Sequence, residues 1–476
     1  MKVKTLTAFI VVALVLVSVN VGSVFAQAYE TAFTTAIAYQ NVGPSATTKL
    51  EVWFYEGPTD TSPTIVDRPN LNPNAGTSLF IGGLNDIAQG FRGTAIMVSD
   101  QPLLATLVQL PQNSSTVKNR PLSNGFSAGT QNTLLSTVLK NAFGGAWYTI
   151  FSVQNVGSSS TGVDIEFYNT SAVKVHTITQ TLQPGAGYFV DTGTVTELGD
   201  TFSGSVVAKT QGGQIISSAM ELQKYDVGNR AFEGLGSGAT NYFMPSALCN
   251  YAIPGGNTNT FYAIQNTSDS TSTNVTVTYF DTSGVNQGNE TKSVGPGAKA
   301  SFSTCDVVSS GFLGSAKVES SATPVIAMGK IEGAGLTTAY VGIGSGSAKV
   351  SLPYVRWATD ANFQNGSQQR VFIALQNVGS STITGPITVE YIDRDGNVSG
   401  THTINTDLDS GSKANSNATS AGLSEFGVYA NGTQFGGGVI ITGPPGSELA
   451  AIARVQSWVP ATGQQAGEDY NGMDVP

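Results

Sequence analysis

The sequence predicts an all-β protein: four tandem immunoglobulin-like antiparallel β-sandwich domains after an N-terminal signal peptide. Three observations carry this expectation. Gln40-Asn41-Val42-Gly43 returns as Gln154-Asn155-Val156-Gly157 and Gln376-Asn377-Val378-Gly379, with Gln265-Asn266-Thr267-Ser268 between them. These pairs begin 114, 111 and 111 residues apart, a period too long for a solenoid repeat and suited to a whole sandwich domain. Alternation of apolar and polar residues follows each pair, and the only helix-length apolar run lies near residues 6–17.

Taken in chain order, each repeat has the same parts. After the Gln-Asn pair comes a Thr/Ser-rich turn and then LEVWFY (50–55), VDIEFY (163–168), VTVTYF (275–280) or ITVEYI (387–392). One face of these strands carries Leu50/Val52/Phe54, Val163/Ile165/Phe167, Val275/Val277/Tyr279 and Ile387/Val389/Tyr391. The other face carries mainly Thr, Asp and Glu, the pattern of a half-buried antiparallel strand. Pro184-Gly185-Ala186 and Pro296-Gly297-Ala298 mark turns in the second and third repeats, and a Phe-x-Gly signature opens a later strand at 91, 202, 312 and 435. Glycine-rich linkers (125–129, 234–238, 342–346) lead into TLLSTVLKN (133–141), YFMPSALCN (242–250) and VSLPYVRWA (350–358). The expected boundaries are 1–26 for the signal peptide, then repeats at 27–124, 125–235, 236–345 and 346–476 with a short C-terminal tail.

The signal is read from Lys2 and Lys4, the apolar run and small residues before cleavage after Ala26 or Ala28. No later segment has the length of apolar residues a membrane helix requires, so the expectation is a secreted, extracellular or cell-surface protein without a span in the mature chain. Charged residues make up 11% and the net charge is −10, which argues against nucleic acid, whose binders carry a basic stripe. The two cysteines, Cys249 and Cys305, are expected to bridge in an oxidising compartment, worth roughly 4 kcal/mol by loop entropy. The alternative is two separately buried thiols.

A strand ending in the Gln-Asn-x-Gly motif, a Thr/Ser turn and the alternating strand after it resemble the Ig-like repeats of bacterial surface proteins, including the CARDB type. Together with the Phe-x-Gly-Ser strand, the chain is similar to uncharacterised exported bacterial repeat proteins over nearly all its mature length. The resemblance implies fold and location; it brings no catalytic residues.

Candidates for chemistry are few. The Gly342-x-Gly344-x-Gly346 loop lacks the Gly-Lys-Ser/Thr and helix of a phosphate cradle, and reads as a linker. His176 and His402 occupy matching His-Thr-Ile contexts in non-adjacent repeats, which suits strand positions rather than a zinc site or triad. Asp164 and Glu166 share a strand face, but their equivalents in other repeats include Trp53 and Thr276, as a solvent face allows. Asp393, Asp395 and Asn397 have the alternating oxygens of a calcium loop. Yet Asp395-Gly396 is also a hairpin turn, and the expected Gly at the sixth and Glu at the twelfth position are missing. Trp53 and Tyr55 form an aromatic pair on the outward face of repeat 1, able to stack a sugar or to meet another subunit. Asn-x-Ser/Thr sequons occur at Asn113, Asn169, Asn266, Asn274, Asn289, Asn365, Asn397, Asn417 and Asn431, close to chance for so Asn- and Ser/Thr-rich a chain.

The motif residues Asn41, Asn155, Asn266 and Asn377, with Gly43, Gly157 and Gly379, read as structural: a short amide satisfies loop backbone groups at the end of each sandwich. With no catalytic residues, metal or cofactor expected, the functional expectation is a non-enzymatic structural or adhesive surface protein. Its form would be a rod of Ig-like domains that self-associates or joins other surface components. The alternatives are polysaccharide binding through Trp53 and Tyr55 and, more distantly, an accessory role beside a secreted hydrolase. Repeat 1 has only residues 27–35 ahead of its motif, too few for the strand that precedes it elsewhere. It is therefore expected to be incomplete, and open to a strand from another chain.

Overall fold

The computed structural model describes residues 31–112, 118–224, 228–359, 366–428 and 436–475, and the backbone of 9–12. Most of the expected signal peptide, both cleavage positions and the sequons at Asn113, Asn365 and Asn431 lie outside the described residues. The chain forms four tandem immunoglobulin-like antiparallel sandwiches joined at 125–131, 234–240 and 342–348.

Unit 2 shows the plan. Its eight strands are Asn132–Lys140, Trp147–Asn155, Thr161–Asn169, Lys174–Leu182, Gly187–Asp191, Phe202–Thr210, Ile215–Gln223 and Asn229–Glu233. In one sheet the order is first, sixth, third, fourth; in the other it is fifth, second, seventh, eighth. Compared with the immunoglobulin constant arrangement, where the first strand lies beside the second, here the first lies beside the sixth and the seventh beside the second. The alternation after each Gln-Asn pair drives the core: Val52, Ile165, Val277 and Val389 are fully buried, with their apolar neighbours on the same face.

The Phe-x-Gly glycines are required by a close approach. A Cβ at Gly93, Gly204 or Gly314 would collide with the carbonyl of Tyr55, Tyr168 or Phe280 and with the ring of Phe91, Phe202 or Phe312. In unit 4 the ring over Gly437 comes from Phe426. Phe435, which the sequence pattern nominates for this place, lies outside the described residues.

The units do not follow one another as the expected rod. The outer face of one unit's first sheet packs on the second sheet of the next, as Leu134 and Val207 do on Ile326, and Ile96 on Ile216. The fourth unit meets the first in the same way, with Ala38 and Val108 in one cluster with Leu352 and Val355. The eighth strands, Leu122–Asn124, Asn229–Glu233, Leu336–Val341 and Gln465–Asn471, gather at the centre, each touching the next and the last touching the first. Leu336 and Gly467 pair as a parallel bridge there, the direction that rotation of one unit onto the next requires. The result is a closed ring. A repeat period sets the size of each unit, and the angle between units comes from apolar side chains on faces a rod would leave wet.

Closure sets the size in solution. A compact body of this length should give a radius of gyration near ~22 Å by X-ray scattering. Four sandwiches in line, each at least ~30 Å long by strand rise, would exceed ~35 Å, and a value there would refute the ring.

Candidate functional site

The side chains that the repeat places together lie at the seams between units. Each Asn of the motif is fully buried and holds its own loop. The Asn155 amide donates to Ser159 O (2.8 Å) and Leu182 O (3.0 Å), and its Oδ1 accepts from Gly157 N (2.9 Å). Asn41, Asn266 and Asn377 repeat this arrangement, with Ser268 N replacing a glycine N–H in unit 3.

The glutamine beside it has a separate task. Gln154 Nε2 donates to Gly185 O (2.9 Å) at the tip of the Pro-Gly-Ala turn. That carbonyl also accepts from Thr94 Oγ1 of unit 1 (2.8 Å), the residue after the Phe-x-Gly glycine. Gln265, Gly297 and Ser205 repeat the contact between units 2 and 3, and Gln376, Gly411 and Ser315 between units 3 and 4. The turn glycines have φ of +81°, +67° and +81°, and an outward aromatic of the preceding unit, Tyr55, Tyr168 or Phe280, lies over each. Where the ring closes, Gln40 Nε2 donates to Asn74 O (2.8 Å), and Ser351 Oγ of unit 4 donates to Gln40 Oε1 (2.8 Å).

This geometry separates the expected aromatic pair. Tyr55 is only 6% exposed; its partner is the Gly185 turn of unit 2, so its contact surface is internal. Trp53 stays half-buried, its Nε1 donating to Glu51 Oε2 (2.8 Å), with the exposed Ile65 across the strand. The repeated aromatic at 55, 168 and 280 was a sequence signal for the seams, being apolar on a face that carries mainly Thr, Asp and Glu.

The other candidates are spread around the ring. Asp393 Oδ1 accepts from the N–H groups of Asp395 (2.9 Å) and Asn397 (2.8 Å). Asn169 and Asp281 do the same in their hairpins, so a neutral amide serves equally well there. Glu166 is held by Lys174, Lys209 and Tyr168; burial opposes its ionisation, but these bonds keep its carboxyl below the usual range. Asp164 accepts from Thr179 (2.6 Å). His402 shares a hydrogen bond with Ser416 (3.0 Å) and His176 packs beside Phe167, each on its own strand. Among the described residues no group of three or more His, Cys, Asp or Glu is placed to hold a metal. Cys249 and Cys305 are bonded, with Cα atoms 5.0 Å apart, tying the first strand of unit 3 to the turn before its sixth.

Composition gave no warning of the buried charge. Between units 2 and 3, the Glu221 carboxylate accepts from Arg230 Nε (2.6 Å), Lys330 Nζ (2.7 Å) and Thr137 Oγ1 (2.8 Å), and Arg230 stacks on Trp147. Burial opposes ionisation of Glu221, but Arg230 and Lys330 hold it well below the usual carboxylate range. Between units 3 and 4, Arg454 pairs with Asp469 (3.0 Å) and reaches Ser246 (3.4 Å). Unit 1 is gripped by two carboxyls from its neighbours. Glu233 accepts from Asn124 N, and Glu468 from Arg120 N. Burial pushes Glu233 up to about 7, and Glu468 up to about 8 against the pull of Arg120.

Two measurements follow from this geometry. Asn155→Ala removes three loop hydrogen bonds and should cost roughly 1–3 kcal/mol in urea unfolding; a change within error would mean that water replaces the amide. Glu233 and Glu468 ionise more readily unfolded, near the ordinary ~4.3, than in the ring. Their destabilising effect is therefore absent in acid and grows as pH rises from that value through 7 to 8, towards about 4 kcal/mol for Glu233 and about 5 kcal/mol for Glu468. A Glu233→Gln/Glu468→Gln double variant should match the wild type at about pH 3.5, below the unfolded carboxyl range, and melt higher than it at about pH 9. A melting difference that does not change with pH would show that neither carboxyl titrates in this range.

No known protein family matches the chain, and no curated protein does. Among solved structures, the crystal structure of Thermotoga maritima 1070 is similar over 22% of this chain and 94% of that one. Identity is 14% and the TM-score 0.19, too low to bear on function.

Proposed function

We propose that the chain is an exported, non-enzymatic structural or adhesive component of the cell surface, acting as a preassembled ring. The observation that carries this reading is the use of its repeated polar motif. Each Asn closes a loop and each Gln joins its turn at a seam to a neighbouring unit, so what the repeat preserves is the architecture. The low charge of the chain, 11%, gives weak electrostatic protection against association with other surface components. Polysaccharide binding is less favoured, since Tyr55 is withdrawn into a seam and Trp53 is left without its aromatic neighbour.

Electron microscopy of the purified mature protein and of the native cell surface tests the proposal. Rings organised into a lattice or filament, lost on deletion of the gene, are the expected result. Dispersed rings and an unaltered surface after deletion would sink it.

A further inference from the structure

Units 2, 3 and 4 each begin with a strand that lies antiparallel to the Phe-x-Gly strand of the first sheet, or to its counterpart in unit 4: Asn132–Lys140, Asn241–Cys249 and Lys349–Val355. Each has a two-residue bulge whose second residue, Thr137, Ser246 or Tyr354, faces the next unit. Thr137 meets Lys330, and Ser246 meets Arg454. In unit 1 the same seat, beside Gly93–Ser99, is taken by the backbone of Phe9–Val12, with Phe9 opposite Val98 and Val12 opposite Ala95. By register this fills only the half before the bulge, the half that Asn132–Leu135 fill in unit 2.

The rest of the seat borders a cavity of about 650 Å³ lined by Phe33, Ile81, Leu84, Ile87 and Phe91 among others. The wall supplied by unit 2 is also apolar. Ile150 and Met220 stand at the register positions occupied by Phe261 and Lys330, or Phe372 and Arg454, at the later seams. Thr35 corresponds to Thr149 and Thr260, whose hydroxyls each accept an amide of a first strand; it bonds Gln109 instead (2.8 Å).

We propose that this seat is an acceptor for a strand donated by a separate polypeptide: about nine residues long, uncharged, apolar on both faces and antiparallel to Gly93–Ser99. The proposal rests on the export reading, in which residues 1–26 are removed and Phe9–Val12 leave with them. Residues 27–32 do not replace them. In unit 2 the connection to the second strand alone takes residues 141–146, six residues, and 27–32 number no more than that, too few to add a nine-residue strand. Nor does a second copy, because among the described residues the strands are already paired within their own ring. An open seat would leave the edge of Gly93–Ser99 unpaired between two apolar walls, the condition under which strand addition gains both main-chain hydrogen bonds and side-chain burial.

The probe is a fluorescein-labelled peptide of residues 7–17 with lysines added at its C-terminus for solubility. The chain beginning at Gln27 should bind it saturably, the intact chain 1–476 should not, and Ile87→Asp in the cavity wall should weaken binding at least tenfold. If the shortened chain fails to fold, a protease site placed within residues 19–25 of the intact chain allows a cut after folding, and the labelled peptide should then exchange with the freed segment. Absence of uptake by both forms overturns the acceptor. Mass spectrometry of the exported protein tests export separately: a retained Met1 defeats cleavage, while the peptide result still decides the seat.

Discussion

The structure depends on closure. Each sandwich has two outer faces with buried residues, such as Leu134 and Val207 on one unit and Ile326 on the next, so no unit is complete without neighbours on both sides. Contacts of this head-to-tail kind either close into rings or run on without limit. Here they close at four within one chain, and the central strands satisfy one another. The Asn124 amide donates to Asn471 O (2.8 Å), while Asn471 exchanges hydrogen bonds with the backbone of Val341 in both directions. The Gln–turn–hydroxyl contact then sets the angle at three seams, because a turn with positive φ under an aromatic ring tolerates little displacement.

The four seams differ in chemistry. That between units 1 and 2 is apolar around Ile150 and Met220, and the next holds Glu221 among Arg230 and Lys330. The third pairs Arg454 with Asp469, and the closing seam sets Arg356 against Gln369 and Tyr354 beside unit 1. Burying an ion pair adds little net stability, because desolvation offsets most of the attraction. Removing one partner costs about 3–5 kcal/mol, because the other charge remains buried alone. A unit docked in the wrong place would strand such charges against apolar walls. The buried ions therefore serve the order of the ring more than its stability.

What could be read from the sequence follows what is local. Alternation at Leu50/Val52/Phe54 and its counterparts reports burial within a sheet, and the motif asparagines are local loop contacts, so both were legible. Tyr55 was read as outward by parity, which holds; what it meets is the turn of another unit more than 100 residues away. Glu221 and Lys330 lie in strands whose pattern gives no sign of a partner, because a buried charge is explained only by the tertiary contact that neutralises it. The rod failed for the same reason. Periodicity carries unit size and connection length, and the angle between units is a property of paired surfaces.

Unit 1 breaks the symmetry at the one place where chain connectivity forces a choice. Every other first strand reaches its seat directly from the eighth strand of the preceding unit, through joints such as 234–240. The ring would ask the first strand of unit 1 to arrive from unit 4, yet the eighth strand of unit 4 is followed by Met473–Asp474, which pair with Val350 and Ser351 on the first strand of unit 4 itself. The segment after the eighth strand of unit 4 therefore turns back onto its own unit, and the seat beside Gly93–Ser99 is taken in part by the backbone of Phe9–Val12. The apolar character of Met220, where the later seams carry Lys330 and Arg454, matches a seat whose strand arrives without a polar partner for that position.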